Sequence, residues 1–218
     1  MEAKNGNETV LLEYLGHSCF RLTYAGQRIV LDPYADGSVP GLDPVRTDAE
    51  FVFCSHEHPD HNGVRGVRLA EPAPEPAFSV TEISVDHDHH GGSRRGKNTV
   101  RVFTFGELRV AHLGDVGRPL TEEEGKALSG LDLVMIPVGG HFTIDAAEAK
   151  QILQKIAPRV AVLMHYRTDH SGYDVIAHND DVLKTLGPVS LVPGCSCYLN
   201  KGTPSQTLLL QQGNKKKS

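Results

Sequence analysis

Short apolar runs, many of them alternating with polar residues, fill the first half of the chain. Runs of this length bounded by turn-forming residues are typical of β-strands. They predict strands at residues 10–15, 19–24, 28–31, 50–54, 83–85, 100–105 and 108–113. Tight turns are predicted at Ala25-Gly26-Gln27 and at Gly106-Glu107. The N-terminal half is therefore predicted to be rich in strands.

In the second half, strands are predicted to alternate with helices. The pattern predicts helices at 121–128, 145–156 and 179–186 and strands at 131–137, 159–164, 189–192 and 206–211. Thr121 and Glu124 have the spacing of a capping box, and Asp145 lies near the start of its helix. A further helix is predicted to begin near Asn62. The proline-rich residues 70–77 are predicted to form a surface loop.

These elements indicate an α/β fold in which stacked sheets are covered by helices. The chain has 218 residues and shows no repeat at a fixed period. A chain of this length can bury one substantial core. We therefore expect one domain that spans residues 1–218.

Composition and charge narrow the classes of partner. The 22 Lys and Arg against 27 Asp and Glu give a net charge of −5, which argues against a broad nucleic-acid-binding surface. Residues 1–5 lack the apolar region of a signal peptide, and apolar runs such as 131–138 are too short to span a bilayer. The four cysteines match no zinc-ribbon spacing and are expected to be reduced thiols. We expect a cytoplasmic protein with a small-molecule substrate and no membrane partner. The sequence does not distinguish a monomer from a homo-oligomer.

The stretch CSHEHPDH, residues 54–61, has the highest density of potential metal ligands in the chain. It places His56, His58, Asp60 and His61 inside six positions, directly after a predicted strand. Four neighbours in one tight turn would close a single tetrahedral zinc site only with strain. The spacing therefore favours two metal ions, each of which needs further ligands from elsewhere in the chain.

Such ligands stand where other predicted strands end. The motif VDHDHHGG offers His87, Asp88, His89 and His90, AHLGDVG offers Asp115, and VLMHYRT offers His165. The ends of strands, where loops begin, are the usual location of chemistry in α/β proteins. One loop histidine alone is weak evidence, but the combination with the dense turn indicates a metal centre.

Together with YLGHSCF, IVLDPY and IPVGG, these motifs resemble those of the metallo-β-lactamase superfamily. They are most similar to its small bacterial branch, which includes the ascorbate phosphate lactonases and many uncharacterised metal-dependent hydrolases. The resemblance covers residues 10 to about 195. It implies a four-layer αββα sandwich with the site along one edge, between the two sheets.

The resemblance also implies two metal sites joined by one carboxylate. The implied ligands are His56, His58 and His87 for the first ion and Asp60, His61 and His165 for the second, with Asp115 bridging. His87 is favoured over its neighbour His89. Asp32 is expected to orient a ligand histidine through a hydrogen bond. His17 either lines the site or is a buried structural histidine.

This ligand set predicts hydrolysis by a metal-bridging hydroxide, with Asp60 and Asp115 as catalytic metal ligands. Two divalent ions are expected; imidazole and carboxylate ligands suit zinc and also accept manganese, iron or nickel. The predicted substrate is a small ester, lactone or phosphoester. Either His141 or Tyr166 is expected to give the leaving group its proton.

The glycine-rich segment 91–98 adds positive charge beside His87. It departs from a phosphate-binding P-loop because Asn98 replaces the hydroxyl residue and a strand follows. Arg94, Arg95 and Lys97 are nevertheless candidates to contact an anionic substrate.

Two other classes of function remain open from the sequence. An iron-dependent oxygenase or redox enzyme on the same fold is the main alternative, although the flavodiiron pattern would place a carboxylate where His58 stands. A non-catalytic metal-binding module is the other. The fold alone does not identify the substrate.

Overall fold

The computed structural model describes residues 8–214, so the polar start and most of the lysine-rich end that the sequence shows lie outside the described residues. The strands are β1 (Val10–Gly16), β2 (Cys19–Tyr24), β3 (Gln27–Leu31), β4 (Thr47–Ala49), β5 (Phe51–Phe53), β6 (Val67–Leu69), β7 (Ser79–Asp86), β8 (Lys97–Phe105), β9 (Leu108–His112), β10 (Leu133–Pro137), β11 (Val160–Met164), β12 (Ser190–Val192), β13 (Ser196–Leu199) and β14 (Gln206–Leu210). The α-helices are α1 (Glu122–Ala127), α2 (Ala146–Ile156) and α3 (Asn179–Leu186).

Two large sheets form the framework. The first has the strand order β13-β1-β2-β3-β5, and the second has the order β12-β14-β11-β10-β9-β8-β7. Strands β7, β8 and β9 pair as antiparallel hairpins, whereas β9, β10, β11, β14 and β12 run parallel. Every residue of β10 and β11 is buried, as expected for parallel strands that are covered on both faces. The predicted α/β sandwich of stacked sheets is confirmed.

The main core lies between the sheets and is filled by residues from both. Alternation along β1 buries Val10, Leu12 and Tyr14. These side chains belong to the same apolar cluster as Phe103 and Phe105 of β8. Because strand side chains alternate between faces, the same pattern that predicted the strands also selects this core.

The outer faces of the two sheets are covered differently. Helix α2 buries Ala149 and Ile152 in the main core and contacts β10, α1 and α3. The opposite face, formed by the first sheet, carries a second apolar cluster in which Cys19 and Val30 pack with residues of the segment 34–49. In the described part of the chain, this outer face of the first sheet is covered by a loop segment and the short β4–β6 pair, and no α-helix covers it.

Helix starts follow the predicted capping chemistry. Thr121 accepts a hydrogen bond from the backbone N–H of Glu124, whose side chain accepts one from the N–H of Thr121, so the predicted capping box is confirmed. Asp145 and Glu148 form the same reciprocal pair at the start of α2. Both caps satisfy backbone donors that the first helical turn leaves free.

The helix predicted from Asn62 is wrong. The chain instead makes one 3₁₀ turn, Val64–Gly66, and then enters β6. The Gly63 N–H donates to the carbonyl of Pro33 at 2.6 Å, which fixes this segment against the loop that follows β3. Two glycines in four residues also lower the helix propensity of the segment. Strands β4, β6 and β13 were not predicted, and β7 begins four residues before the predicted strand.

Among residues 8–214, no helix combines the length and the apolar character that crossing a membrane requires.

Close backbone packing at Gly63 leads to a testable prediction. A Cβ atom at this position would lie 2.2 Å from the carbonyl carbon of Tyr34. We expect Gly63→Ala to lower the free energy of unfolding by about 1–3 kcal/mol, because one of the two backbone segments must shift. Urea denaturation of the purified variant measures this change.

Gly194→Ala is the matched control, since no atom lies within 4 Å of the added methyl group. We expect it to change the free energy of unfolding by less than about 0.5 kcal/mol. Equal stability of the two variants would show that the contact between Gly63 and Tyr34 does not constrain the fold.

Candidate metal centre

The candidate site lies where strands of both sheets end on the same edge. Strands β3 and β5 are parallel, and β7 and β9 are each antiparallel to β8, so their C-terminal ends point the same way within each sheet. The residues that follow these ends, and the end of β11, are Asp32, the turn 55–61, His87, Asp115 and His165. Segments that are far apart in sequence thereby converge on one place.

Asp115 is at the centre of the convergence. Its Oδ2 atom lies 3.1 Å from His61 Nε2, 3.3 Å from His165 Nε2, 3.5 Å from His87 Nε2 and 4.0 Å from His56 Nε2. Within residues 8–214 none of these four buried Nε2 atoms has a hydrogen-bond partner, and neither has Asp115 Oδ1. Buried polar atoms without partners are rare in folded proteins, and here they surround one point. Such a set of nitrogen and oxygen donors fits divalent cations.

All seven expected ligands take part in this cluster. Their ligand atoms form groups within 4.8 Å of one another: His56, His58 and His87; Asp60, His61 and His165 together with His17; and His56, His61 and Asp115. The last group links the first two. The structure therefore brings together the residues that the sequence assigned to two neighbouring ions.

Asp32 holds two of these histidines in place. The Nδ1–H of His61 donates to Asp32 Oδ2 at 2.7 Å. Ser55 donates to the same carboxylate twice, from its N–H and from its hydroxyl, each at 2.6 Å. The Ser55 hydroxyl oxygen in turn lies 2.9 Å from His56 Nδ1 and accepts its proton. With both Nδ1 atoms protonated, each Nε2 presents a lone pair to the cluster, the tautomer that metal binding requires.

The carboxylates of the site are held in their charged forms. Burial alone would raise the pKa of Asp32, but His112 and His61 hold it below its ordinary value. Burial opposes ionisation of Asp115 as well, yet His165 and His61 hold its pKa well below the usual range. Asp115 and Asp32 overcome the effect of burial and raise the pKa of His61 well above its ordinary value, which means that the two carboxylates favour a positive charge at this ring, whether a proton or a metal ion. The cluster thus carries buried negative charge that requires a positive counterpart.

His17 connects two of the expected ligands. It is 1% exposed, and its Nε2–H donates to Asp60 Oδ2 at 3.1 Å. Its carbonyl accepts the N–H of His165 at 2.9 Å. Burial, together with the neighbouring His165, lowers the pKa of His17 to about 4. Both roles that the sequence left open are present: His17 is a buried structural histidine, and it contacts the site.

Asn98 and His112 position the loop that carries Asp115, and sequence reasoning missed both. Asn98 Oδ1 accepts the N–H of Asp115 at 2.9 Å, and its amide donates to the carbonyl of Leu113 at 2.8 Å. His112 accepts the N–H of Gly114 on Nδ1 at 3.2 Å. The only sequence signal for Asn98 was its departure from the phosphate-binding motif.

Unusual backbone conformations also concentrate here. His17, Asp32, His141 and His165 have φ angles of 54°, 44°, 58° and 56°, in the left-handed region that few non-glycine residues adopt. Such conformations persist only where surrounding contacts enforce them, and they are typical of functional sites.

A cavity of about 290 Å³ adjoins the cluster, and the expected ligands Asp60, His87 and Asp115 line it. Phe142, Tyr173 and Arg95 line the same cavity. Tyr173, which the sequence did not suggest, donates its hydroxyl proton to the carbonyl of Ser38 at 2.7 Å. This volume is at the lower end of ligand pockets and therefore suits a small substrate.

The two expected proton donors lie in different environments. His141 is exposed and packs against Phe142, and it lines a neighbouring cavity that also contains His87. Tyr166 is the wrong choice, because it is 2% exposed and donates its hydroxyl proton to the carbonyl of Leu210 at 3.1 Å, in the core. A buried hydrogen-bonded tyrosine cannot reach a leaving group in the cavity.

The histidines that follow His87 point elsewhere. The chain leaves the strand after Asp86, and the side chain of His89 is 54% exposed and lies 3.3 Å from Glu148. His90 is also exposed. Of the neighbouring candidates, His87 is therefore the one that faces Asp115.

Comparisons with known proteins identify the superfamily of the chain. Residues 11–165 match the family model of the beta-lactamase superfamily domain. A UPF0173 metal-dependent hydrolase of Staphylothermus marinus is 27% identical over 195 residues, covering 72% of this chain and 84% of the relative. A UPF0173 protein of Pyrococcus furiosus is 31% identical over 185 residues, covering 71% and 82%. A solved Thermotoga maritima protein, assigned as a Zn-dependent hydrolase of the metallo-β-lactamase superfamily, has a TM-score of 0.69 at 29% identity, covering 93% of this chain and 100% of its own.

The Asp32 network leads to a prediction on metal affinity. In Asp32→Asn the carboxylate that accepts from both His61 and Ser55 is lost. His61 and His56, which Ser55 contacts, then lose their fixed orientation. We expect zinc to bind about 10- to 100-fold more weakly than in the wild type. Competition with a chromogenic chelator measures the dissociation constant.

Asp36→Asn is the control, because Asp36 is exposed and pairs with Arg46 at the surface. We expect it to bind zinc as the wild type does. If Asp32→Asn also retained wild-type affinity, the orienting role of Asp32 would be refuted.

Proposed function

The chain belongs to the beta-lactamase superfamily, and from this membership and its ligand cluster we propose that it is a metal-dependent hydrolase of a small ester, lactone or phosphoester. One observation carries the proposal. Asp115 Oδ2 lies within 4.0 Å of four histidine Nε2 atoms that come from three separate segments and have no hydrogen-bond partner among residues 8–214. The similarity to UPF0173 metal-dependent hydrolases supports the same reaction class.

We assign the ligands to two divalent ions. His56, His58 and His87 would hold the first, Asp60, His61 and His165 the second, and Asp115 both. Zinc suits these donors best, and manganese, iron or nickel would also bind. When bound, such ions supply Lewis acidity and a water that ionises near neutral pH, and the bridging hydroxide is the proposed nucleophile.

The chain's own residues keep the site ready for this chemistry. Asp32 and Ser55 fix the rings of His61 and His56, so little reorganisation is needed when ligands bind. Burial would raise the pKa of Asp60, but the hydrogen bond from His17 holds it low, so Asp60 is a carboxylate at neutral pH. His141, at the rim of the cavity next to His87, is the proposed proton donor to the leaving group.

We further propose that the chain acts as one domain in the cytoplasm. The main apolar cluster includes residues of both sheets, and the ligands come from segments that span most of the chain. The four cysteines are free thiols, as is usual in a reducing compartment.

Removal of single ligands tests the proposal. We expect His56→Ala and His165→Ala each to lose at least one metal equivalent and to lower hydrolytic kcat/KM by more than about 100-fold, since removing a ligand is more disruptive than disturbing its support. Elemental analysis of the purified protein and turnover of lactones and chromogenic phosphodiesters measure the two effects.

His89→Ala is the matched control, because it removes an imidazole two positions from His87 that points away from the cluster. It should retain the metal content of the wild type. Iron content with oxygen consumption and no hydrolysis would instead support the oxygenase alternative, and bound metal without any turnover would support a binding module.

A further inference from the structure

We propose that Arg95, assisted by Arg94, is the substrate-recognition arm of this site and selects substrates that carry an oxyanion, a carboxylate or a phosphate, away from the scissile bond. The inference rests on the proposed hydrolase function and adds the chemical class of its substrate. The loop between β7 and β8 carries both arginines, one strand end from the metal cluster.

A buried carboxylate shapes this loop. Asp88 accepts four backbone N–H groups, those of His90, Gly92, Arg94 and Arg95, at 2.7–3.0 Å. The Asp88 carboxylate therefore holds the loop backbone and forms no ion pair with either arginine side chain.

Arg95 is directed at the site. Its guanidinium lies 4.6 Å from the centroid of the Phe142 ring and lines the same cavity as His58, Asp60 and Asp115. Stacking on an aromatic ring restrains a guanidinium and leaves its edge free to form hydrogen bonds. Arg94 lines the adjoining cavity beside His87. The positive charge thus faces the space in which a substrate would lie.

Neither guanidinium has a hydrogen-bond or ion-pair partner among residues 8–214. Most other arginines there are paired with carboxylates, as Arg118 is with Asp86 and Glu124. The nearby Lys97 is paired with Asp86 as well. Two arginines without an ion pair beside a cavity, of which Arg95 is restrained by Phe142, are suited to bidentate binding of a carboxylate or phosphate. A neutral substrate would leave both charges without a counterpart.

The cavity limits the size of such a substrate. A volume of about 290 Å³ beside the metal ligands accommodates a small molecule, with its reactive bond at Asp115 and its anionic group at Arg95. A small lactone or ester with one carboxylate or phosphate fits these requirements, whereas a polymer would not be enclosed.

Kinetics with three lactones test the proposal. The substrates share one γ-butyrolactone ring and carry no added group, a carboxylate or a phosphoryloxymethyl group, which separates the two sources of negative charge. We expect the wild type to prefer one or both anionic lactones. In Arg95→Ala this preference, as the ratio of kcat/KM values, should fall about 10- to 100-fold, mainly through KM. Arg95→Lys should lose less of this preference, because lysine keeps the positive charge but lacks the planar guanidinium group that donates two parallel hydrogen bonds.

Two further variants separate charge from position. Asp88→Ala keeps both arginines but removes the acceptor that shapes the loop, and we expect it to lower the same preference. Arg65→Ala removes an exposed arginine that lines a different cavity and has no ion pair within the described residues, and it should keep the preference of the wild type. Melting temperatures of all variants exclude unfolding as the cause.

A binding measurement keeps the result independent of the reaction. Calorimetry on the zinc-loaded protein would compare succinate and inorganic phosphate in the wild type, Arg94→Ala/Arg95→Ala and Arg65→Ala. Binding that weakens at least about tenfold only in the double variant supports the role of the two arginines in substrate recognition. This conclusion holds even if no lactone is turned over, since the absence of turnover would reject only the proposed reaction. Equal binding by the wild type and the double variant, or no binding by the wild type, would overturn the assignment of the arginines.

Discussion

The buried carboxylate of Asp32 is the interaction on which the site depends. It accepts two hydrogen bonds from Ser55 and one from His61, and it thereby ties the end of β3 to the turn that follows β5. The same contacts fix which ring nitrogen of His56 and His61 faces inward. An ionised group with 1% exposure is costly to bury, and here the surrounding donors offset that cost. One side chain therefore links two strand ends and orients two of the expected ligands.

Strand direction explains why so many distant residues meet. Parallel β3 and β5 in one sheet, and the equal direction of β7 and β9 in the other, bring their C-terminal ends to a common edge. The edge also collects the backbone conformations that non-glycine residues rarely adopt, at His17, Asp32 and His165. The rigid sheets provide the contacts that enforce these conformations, and the loops provide the chemistry.

Much of this arrangement could be predicted from the sequence, because the information is local. Two-residue alternation identified most strands, and the density of ligands in residues 54–61 indicated the metal centre. The parts that were missed depend on contacts between distant segments. Asn98 acquires its role only because β8 lies beside the Asp115 loop, and Tyr166 was misjudged because its hydroxyl meets Leu210 far along the chain. The absent helix after Asn62 has the same cause, since Gly63 packs on the backbone of Tyr34.

The pairing of β1 with β13 has a consequence for how the chain is made. Every candidate ligand has been synthesised once residue 165 has left the ribosome, but β1 gains its outer neighbour only when residues 196–199 follow. The parallel partner of β11 comes later still, at residues 206–208. A nascent or truncated chain that ends soon after His165 would hold the complete set of metal donors while exposing an open edge on each sheet. Such edges invite pairing between chains, so residues 190–210, which form β12, β13 and β14, protect against aggregation although they contribute none of the candidate ligands.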